Sequence, residues 1–514
     1  MNPEYGTVVT TPETPTTTRF SFVVRDPKNV RKGKFVQLQG EDGLLVGVIQ
    51  DIVRANRYFE HAESISEYEK GAGAASVMEN FPTNEWEFAV ADCQVLGAFE
   101  EGRLKRSAYP PAPGTKVHAC DESMLKEFLG FEDAGMHLGK LFQQNVEVKV
   151  NLTRLLQKHL ALLAQSGAGK SYAAAVLIEE LLARKKEDGR IAVAVIDVHG
   201  EYAGLAEKRH NPELVDKVTV VPGDKIRIAA SRLTTSMLAQ FLPDISPAQL
   251  RDLAPVLREA KKKFKEQEQP FTLKELMAAV EASEIRDNSK SALMAWLSEL
   301  RSYKIVGARD SPNLKRSLKS GQLLVFNLAE VIQLKKKQMI VAYLAHKMFN
   351  LRRLKELPPF LLLVEEAHNF APEKVEKRGA ISRSILETIA REGRKFGASL
   401  CLISQRPVKL STTALSQCNS FLILRVTNPY DLKHIEESCE NIDSNTSGAI
   451  TTLKTGEGIL IGEAVNHPVF LKVRARRSRS SGGGTALEKL AREFEDEQSI
   501  AETVSEVEAA EAFL

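Results

Sequence analysis

The stretch 159-HLALLAQSGAGKSYAAAVLIEELL-182 decides how this chain is read. It passes from a short apolar segment, through a loop ending in Gly169-Lys170-Ser171, into residues patterned for a helix. A loop of this kind at the mouth of a helix suits phosphate, because successive backbone N–H groups point at the anion and glycines let the backbone approach it closely. The expected cradle runs through Gln165, Ser166, Gly167, Ala168, Gly169, Lys170, Ser171 and Tyr172. Lys170 is then placed to bridge the β- and γ-phosphates of ATP, and the Ser171 hydroxyl to hold Mg²⁺. Where the motif usually begins with glycine this chain has Ala164, whose methyl group is small enough for a strand-to-loop junction. A lone match of this length is as compatible with chance as with a working site.

Three strand ends further along shift that balance. FLLLVEE (360–366) reads as a buried strand closing on two acids. We assign Glu365 to the magnesium shell and Glu366 to the catalytic base that orients the attacking water. The competing reading is that both acids merely cap the following helix, since carboxylates favour helix N-termini. IAVAVID (191–197) closes on Asp197, a third acid for the outer magnesium shell or a polar switch. SLCLISQ (399–405) closes on Gln405, whose amide suits contact with a γ-phosphate; a plain turn before Pro407 explains that residue equally well.

Around these strands, KVTVV (217–221), LLVFNL (323–328) and FLILRV (421–426) are near-continuous apolar runs, as expected of parallel strands covered on both faces. The fold expected is therefore α/β, a P-loop ATPase core with a mostly parallel central sheet spanning 146–476. A helical insertion is expected at about 230–320, opened by the N-cap Ser246 with Pro247 at the first helical position. Residues 1–145 read as short β segments between Gly, Pro, Asn and Asp turns, a small all-β barrel-like domain. A linker (SGGG, 481–484) lies within the last segment, 477–514, where Leu487, Leu490 and Phe494 recur at amphipathic helical spacing.

Hydrophobic residues make up 43% and charged residues 27%, which places the chain among ordinary globular proteins. No apolar run reaches the roughly 18 residues that span a bilayer, and the N-terminus lacks the basic-then-apolar layout of a signal peptide, so a cytoplasmic protein with no membrane partner is expected. The five cysteines form no CxxC pair and read as small buried residues. Net charge is only +3, so overall charge announces no nucleic-acid partner; the clusters Lys261–Lys263, Lys335–Lys337 and Arg474–Arg479 are each, taken singly, better read as solvated faces.

Taken together, KHLALLAQSGAGKS, IDVHGEY, LLLVEEAHNFAP, IAREGRKFGASLCLISQRP and SQCNSFLILRVTNPYDL resemble the HerA-type hexameric DNA translocases and helicases of the FtsK–HerA division of P-loop ATPases, which have a RecA/FtsK-like core. The resemblance spans roughly residues 150–475. It implies a homo-hexamer with ATP between neighbours, double-stranded DNA threaded through the centre, and, in archaea, a NurA-like nuclease partner in DNA end resection for recombinational repair. FtsK itself and the conjugation coupling ATPases fit less well, because their membrane spans have no counterpart here. The family usually has Thr in its Gly-rich phosphate loop and often Asp at the place of Glu365. By the same resemblance Arg391 and Arg394 are the candidates for an arginine finger reaching a neighbour's γ-phosphate, with Arg425 in reserve. Phosphate contacts in a DNA channel fall to Lys374, Lys377, Arg378 and Arg383, or alternatively to Lys335–Lys337. Two other readings stay open: a HerA-like ATPase of an antiviral or other nuclease complex, and a nucleotide-gated DNA clamp or scaffold with little turnover.

Overall fold

In the computed structural model, residues 2–10, 15–56, 66, 70, 87–100, 103–209, 211–374, 380–439, 442, 444–479, 487–489 and 491–495 are described. The linker at 481–484, Leu490, Lys377 and Arg378 lie outside them. The chain forms two compact units, residues 1–191 with 344–475, and residues 192–343 with 476–514.

The first unit begins with β1 (Glu4–Val9), β2 (Arg19–Val24), β3 (Phe35–Gly40), β4 (Gly43–Asn56), β5 (Glu87–Glu100), β6 (Arg103–Lys105) and β7 (Lys116–Ala119). Neighbours pair antiparallel in the order β2-β1-β7-β3-β4-β5-β6, and a further β2–β5 ladder closes six of them into a barrel. Period-two alternation turns Phe20, Phe22, Val36, Leu38, Leu45, Ile49 and Ala91 inward, where they are buried. The long β4–β5 pair shifts register at Val46/Gly47 and at Ile49/Asp51, and such bulges supply the bend that closure needs.

The chain then enters β8 (Met136–Leu141), β9 (Glu147–Val150) and β10 (Leu160–Leu163). The second unit follows with β11 (Ala192–Asp197), β12 (Val218–Pro222), β13 (Ile228–Ala229), β14 (Val306–Gly307) and β15 (Leu323–Asn327). Back in the first unit come β16 (Phe360–Val364), β17 (Ala398–Ser404), β18 (Ser420–Leu424), β19 (Glu457–Gly462) and β20 (Val469–Val473). In the first unit the order is β16-β17-β10-β18-β19-β20-β8-β9, parallel through β18 and antiparallel beyond. Every residue of β10, β16, β17 and β18 is buried, which is why these strands read as unbroken apolar runs. β8 precedes the boundary expected at 145/146, yet it pairs with β20 in this sheet.

In the second unit β12, β15 and β11 form a parallel trio. The helical stretch expected at about 230–320 comprises Thr235–Phe241, Pro247–Glu266, Leu273–Glu281 and Asp287–Ser302, with the short Leu314–Ser317. Ser246 caps as the sequence implies, and Gln249 completes a capping box. Among the described residues no helix is long and apolar enough to cross a membrane.

One buried ionic cluster fastens the helix Lys170–Ala183 to the antiparallel half of the sheet. Arg474 donates to Glu179 Oε2 (2.9 Å), to Glu180 Oε1 (2.7 Å) and to the His137 carbonyl, while Glu180 Oε2 accepts the His137 N–H. All three side chains are at most 10% exposed. Removing one partner of such a group strands the others' charge in low dielectric. Arg474→Ala is expected to destabilise the protein by about 3–5 kcal/mol, read as a fall in thermal midpoint; an unchanged midpoint would show the cluster to be dispensable.

Candidate functional site

β10 delivers the chain to the loop through a buried junction. Ala164 is fully buried, donates its N–H to the Ser404 carbonyl (3.2 Å) and is not among the residues with positive φ, so the position needs a small side chain rather than glycine. The Gln165 N–H goes to the Arg425 carbonyl (2.9 Å), and Gln165 Oε1 accepts from Thr427 Oγ1 (2.8 Å). The loop is thus pinned to the ends of β17 and β18, its two neighbours in the sheet. Gly167 (φ +75°) and Gly169 (φ +100°) then take the left-handed conformation that side chains resist. Gly167 is exposed and a Cβ built on it meets nothing within 4 Å, so the space beside the loop is open. Beyond it the helix Lys170–Ala183 closes its first turn with the Ala173 N–H bonded to the Gly169 carbonyl, and first-turn N–H groups of a helix have no acceptor within the helix itself. Open space, left-handed glycines and a helix mouth fit a nucleotide phosphate.

The two acids lie just past β16 rather than within it. Lys170 Nζ donates to Glu366 Oε1 at 2.9 Å and stands 3.9 Å from Glu365 Oε1. Glu365 is fully buried and Glu366 nearly so. Glu366 holds φ 48°, ψ 46°, a left-handed backbone that costs a non-glycine residue about 1–3 kcal/mol and that clusters at functional sites. Its carbonyl accepts the Asn369 N–H, which turns the chain sharply after the strand. Glu366 is the N-cap residue of the short 3₁₀ turn that follows, but its side chain makes no capping hydrogen bond there. Two buried carboxylates around one lysine make a site that admits further positive charge, and the oxygen donors are of the hard type that magnesium takes. Among the described residues no group of three or more His, Cys, Asp or Glu is arranged to hold a metal without other ligands.

His368 and Ser404 extend this site, and neither stood out in the sequence as a contributor. His368 Nδ1 lies 3.0 Å from Ser404 Oγ and 3.4 Å from Glu366 Oε2, and Ser404 Oγ also accepts the Arg406 N–H (3.0 Å). Burial lowers the His368 pKa and the Glu366 carboxylate opposes it, so the ring stays neutral near pH 7. The pair bridges β16 and β17 where both approach the loop. Gln405 follows Ser404 directly, half-buried, at this same edge.

The match to known proteins agrees with this arrangement. Residues 136–348 match the family of the helicase HerA central domain. The likeness to helicases of that name extends beyond this segment to most of the chain. A DNA double-strand break repair helicase HerA of Pyrococcus furiosus is 28% identical, covering 91% of this chain and 92% of its own. A probable helicase of Methanocaldococcus jannaschii is 27% identical over 90% of this chain and 89% of its own. Among solved structures, VirB4 of Thermoanaerobacter pseudethanolicus shares the fold, with a TM-score of 0.51 at 17% identity, covering 67% of this chain and 98% of its own.

Within this chain the remaining candidates separate by position. Arg425 sits at the loop, its carbonyl bonded to Gln165. Arg391 and Arg394 lie at the other end of the strands. Both are exposed, one in the last turn of the helix Arg383–Glu392 and the other in the turn leading into β17. β17 runs parallel to β10, with Leu160 opposite Cys401 and Leu163 opposite Ser404, so the loop adjoins the far end of β17. Seven extended residues put about 20 Å between the arginine turn and this chain's own loop.

Asp197 belongs to the second unit. It is fully buried, and its carboxylate accepts N–H groups from Gly200 (2.8 Å), Glu201 (3.0 Å) and Tyr202 (3.0 Å). Burial raises its pKa, against the pull of those three donors. Of the candidate DNA contacts, Arg383 is engaged by Glu387 (2.7 Å) and by the carbonyls of Pro372 and Glu373, and Lys335 by Glu299 (2.7 Å). Lys374 is exposed.

Proposed function

We propose that the protein is an ATP-driven translocase and helicase of double-stranded DNA that works as a homo-hexamer, with ATP bound between neighbouring subunits. The observation that carries this is the separation of two groups that hydrolysis needs together: the Lys170–Glu366 pair lies at the loop, and the exposed arginine turn lies about 20 Å away. A ring in which each arginine turn meets the next subunit's loop reunites them.

In this reading the backbone from Gln165 to Tyr172 grips the phosphates and Lys170 turns from Glu366 to the β- and γ-oxygens. Glu366, freed from that bond, orients water and takes its proton, while Gln405 contacts the γ-phosphate. Ser171 and Glu365 would hold a magnesium ion, which supplies charge neutralisation on the phosphate oxygens. Asp197 has room on Oδ2 for one further donor and would serve an outer water. Arg391, with Arg394 beside it, stabilises charge on the neighbour's γ-phosphate. The names of the similar proteins support DNA as the track, and among the described residues Lys374 is an exposed candidate near the acid-bearing turn. We place the activity with a nuclease of the NurA type in DNA end resection for recombinational repair.

The test is ATP hydrolysis with and without blunt linear duplex, together with displacement of a third strand annealed to that duplex. Stimulation of at least about tenfold with third-strand displacement is the expected result, within the range P-loop motors reach. Slow turnover indifferent to DNA would leave the clamp or scaffold reading in its place.

A further inference from the structure

His159 is one residue ahead of β10 and takes no part in the site as described. It is 2% exposed and holds φ 64°, a left-handed backbone that is uncommon for a non-glycine residue. Its ring is bonded at both nitrogens. Nε2 lies 2.8 Å from the Ala390 carbonyl, and Nδ1 accepts the Leu400 N–H at 2.9 Å. A ring that accepts at Nδ1 and donates at Nε2 is neutral, and burial agrees, lowering the pKa to about 4.

Ala390 precedes Arg391, and Leu400 lies in β17 beyond Arg394. The ring therefore clamps both chain segments that flank the arginine turn, and it does so from the root of the strand that carries this subunit's own phosphate loop. Other anchors hold the turn from outside. Arg352 Nε donates to the Phe396 carbonyl (2.6 Å), and a Cβ on Gly393 would meet the Ala398 carbonyl at 2.2 Å, so that turn packs directly on β17. The bond from His159 to the Ala390 carbonyl adds a fixed point in the last turn of the helix, beside the buried Ile389 and Ala390.

The geometry points to His159 as a positioning residue for Arg391, one that ties the direction of the arginine turn to the strand leading into the same subunit's nucleotide loop. The inference rests on the proposal that Arg391 acts on a neighbour's ATP. An amide of suitable length could replace both bonds, donating from nitrogen and accepting at oxygen, whereas a phenyl ring of similar volume can make neither.

The experiment is a double-mutant cycle on DNA-stimulated ATP hydrolysis by the full chain, with H159F, R391A and the pair. H159F is expected to lower kcat at least tenfold and to leave the KM for ATP within about threefold, because the loop and its cradle are untouched. H159Q is expected to recover most of that loss. In the R391A background H159F should then have no further effect on kcat, since its effect runs through the arginine. If H159F and R391A multiply instead, or H159Q recovers nothing, His159 is merely structural and the inference fails while the function proposed for Arg391 stands. If R391A itself leaves kcat within threefold of the natural protein, the arginine reading falls and this inference with it. Should H159F not fold, H159N, whose shorter amide reaches only one partner, runs the same cycle with the same two criteria.

Discussion

Glu366→Gln is expected to lower ATP hydrolysis by about 10²–10⁴-fold, the range attributed to a positioned general base, while ATP still binds. The geometry explains why the two effects should separate. Glutamine keeps the shape of the side chain and an oxygen for the 2.9 Å bond from Lys170, so the loop and its lysine stay where they are. What disappears is the ability to accept a proton from water. Glu365 does not replace it, because its nearer oxygen stands 3.9 Å from Lys170 and it follows the strand without the left-handed turn that points Glu366 into the site. The measurement is steady-state hydrolysis in the presence of linear duplex, beside equilibrium binding of a fluorescent ATP analogue. A variant that hydrolyses within tenfold of the natural protein would move the base elsewhere, with His368 the next group to examine at 3.4 Å from the same carboxylate.

Arg391→Ala is expected to lower the rate by about 10³-fold or more, as loss of an arginine finger does in P-loop enzymes. Nucleotide affinity should change far less than the rate, since the arginine acts on charge that develops in the transition state rather than on bound ATP. Arg394→Ala, three residues on in the adjoining turn, separates the two candidates: the larger loss marks the finger. Both are exposed, so neither substitution should disturb the core, and equal thermal midpoints are expected for all three proteins. Retention of more than a tenth of the rate in both variants would transfer the role to Arg425, and with it the site from an inter-subunit one to one completed within a single chain.

Much of this could be read from the residues. Strands covered on both faces must be apolar throughout, so LALL, FLLLV and SFLIL announced themselves, and the acids stood out against them. The loop was legible because its glycines and lysine are contiguous. The antiparallel half of the sheet was not, since β8, β9 and β20 are only partly buried and carry no unbroken apolar run, and β8 joins the sheet through β20, far along the chain. Barrel closure depends on pairs such as Ser21 with Asp92, bonded at 2.7 Å, which no local pattern specifies. The same reason hid part of the site. His159 is read as one more histidine before a strand until the fold brings the Ala390 carbonyl to it from 231 residues away. Ser404 looks like an ordinary strand residue until parallel pairing sets it beside Leu163 at the mouth of the loop. The left-handed turn at Glu366 is likewise imposed by its surroundings, because glutamate has no local preference for it.

The closing ladder between β2 and β5 restricts how the N-terminal domain can meet other molecules. An open sheet can recruit a partner by extending its hydrogen-bond ladder, which requires little of the partner's sequence. Six of these strands have a neighbour on each side over part of their length; β6 offers three residues of backbone, and β4 runs on to Asn56 past its ladder with β3, which ends at Val48. Over the rest of the ring a docking partner is recognised by side chains and loops, and so by its own particular surface. The domain is therefore built to discriminate among partners, and to stay clear of strand-to-strand aggregation when several copies are crowded side by side.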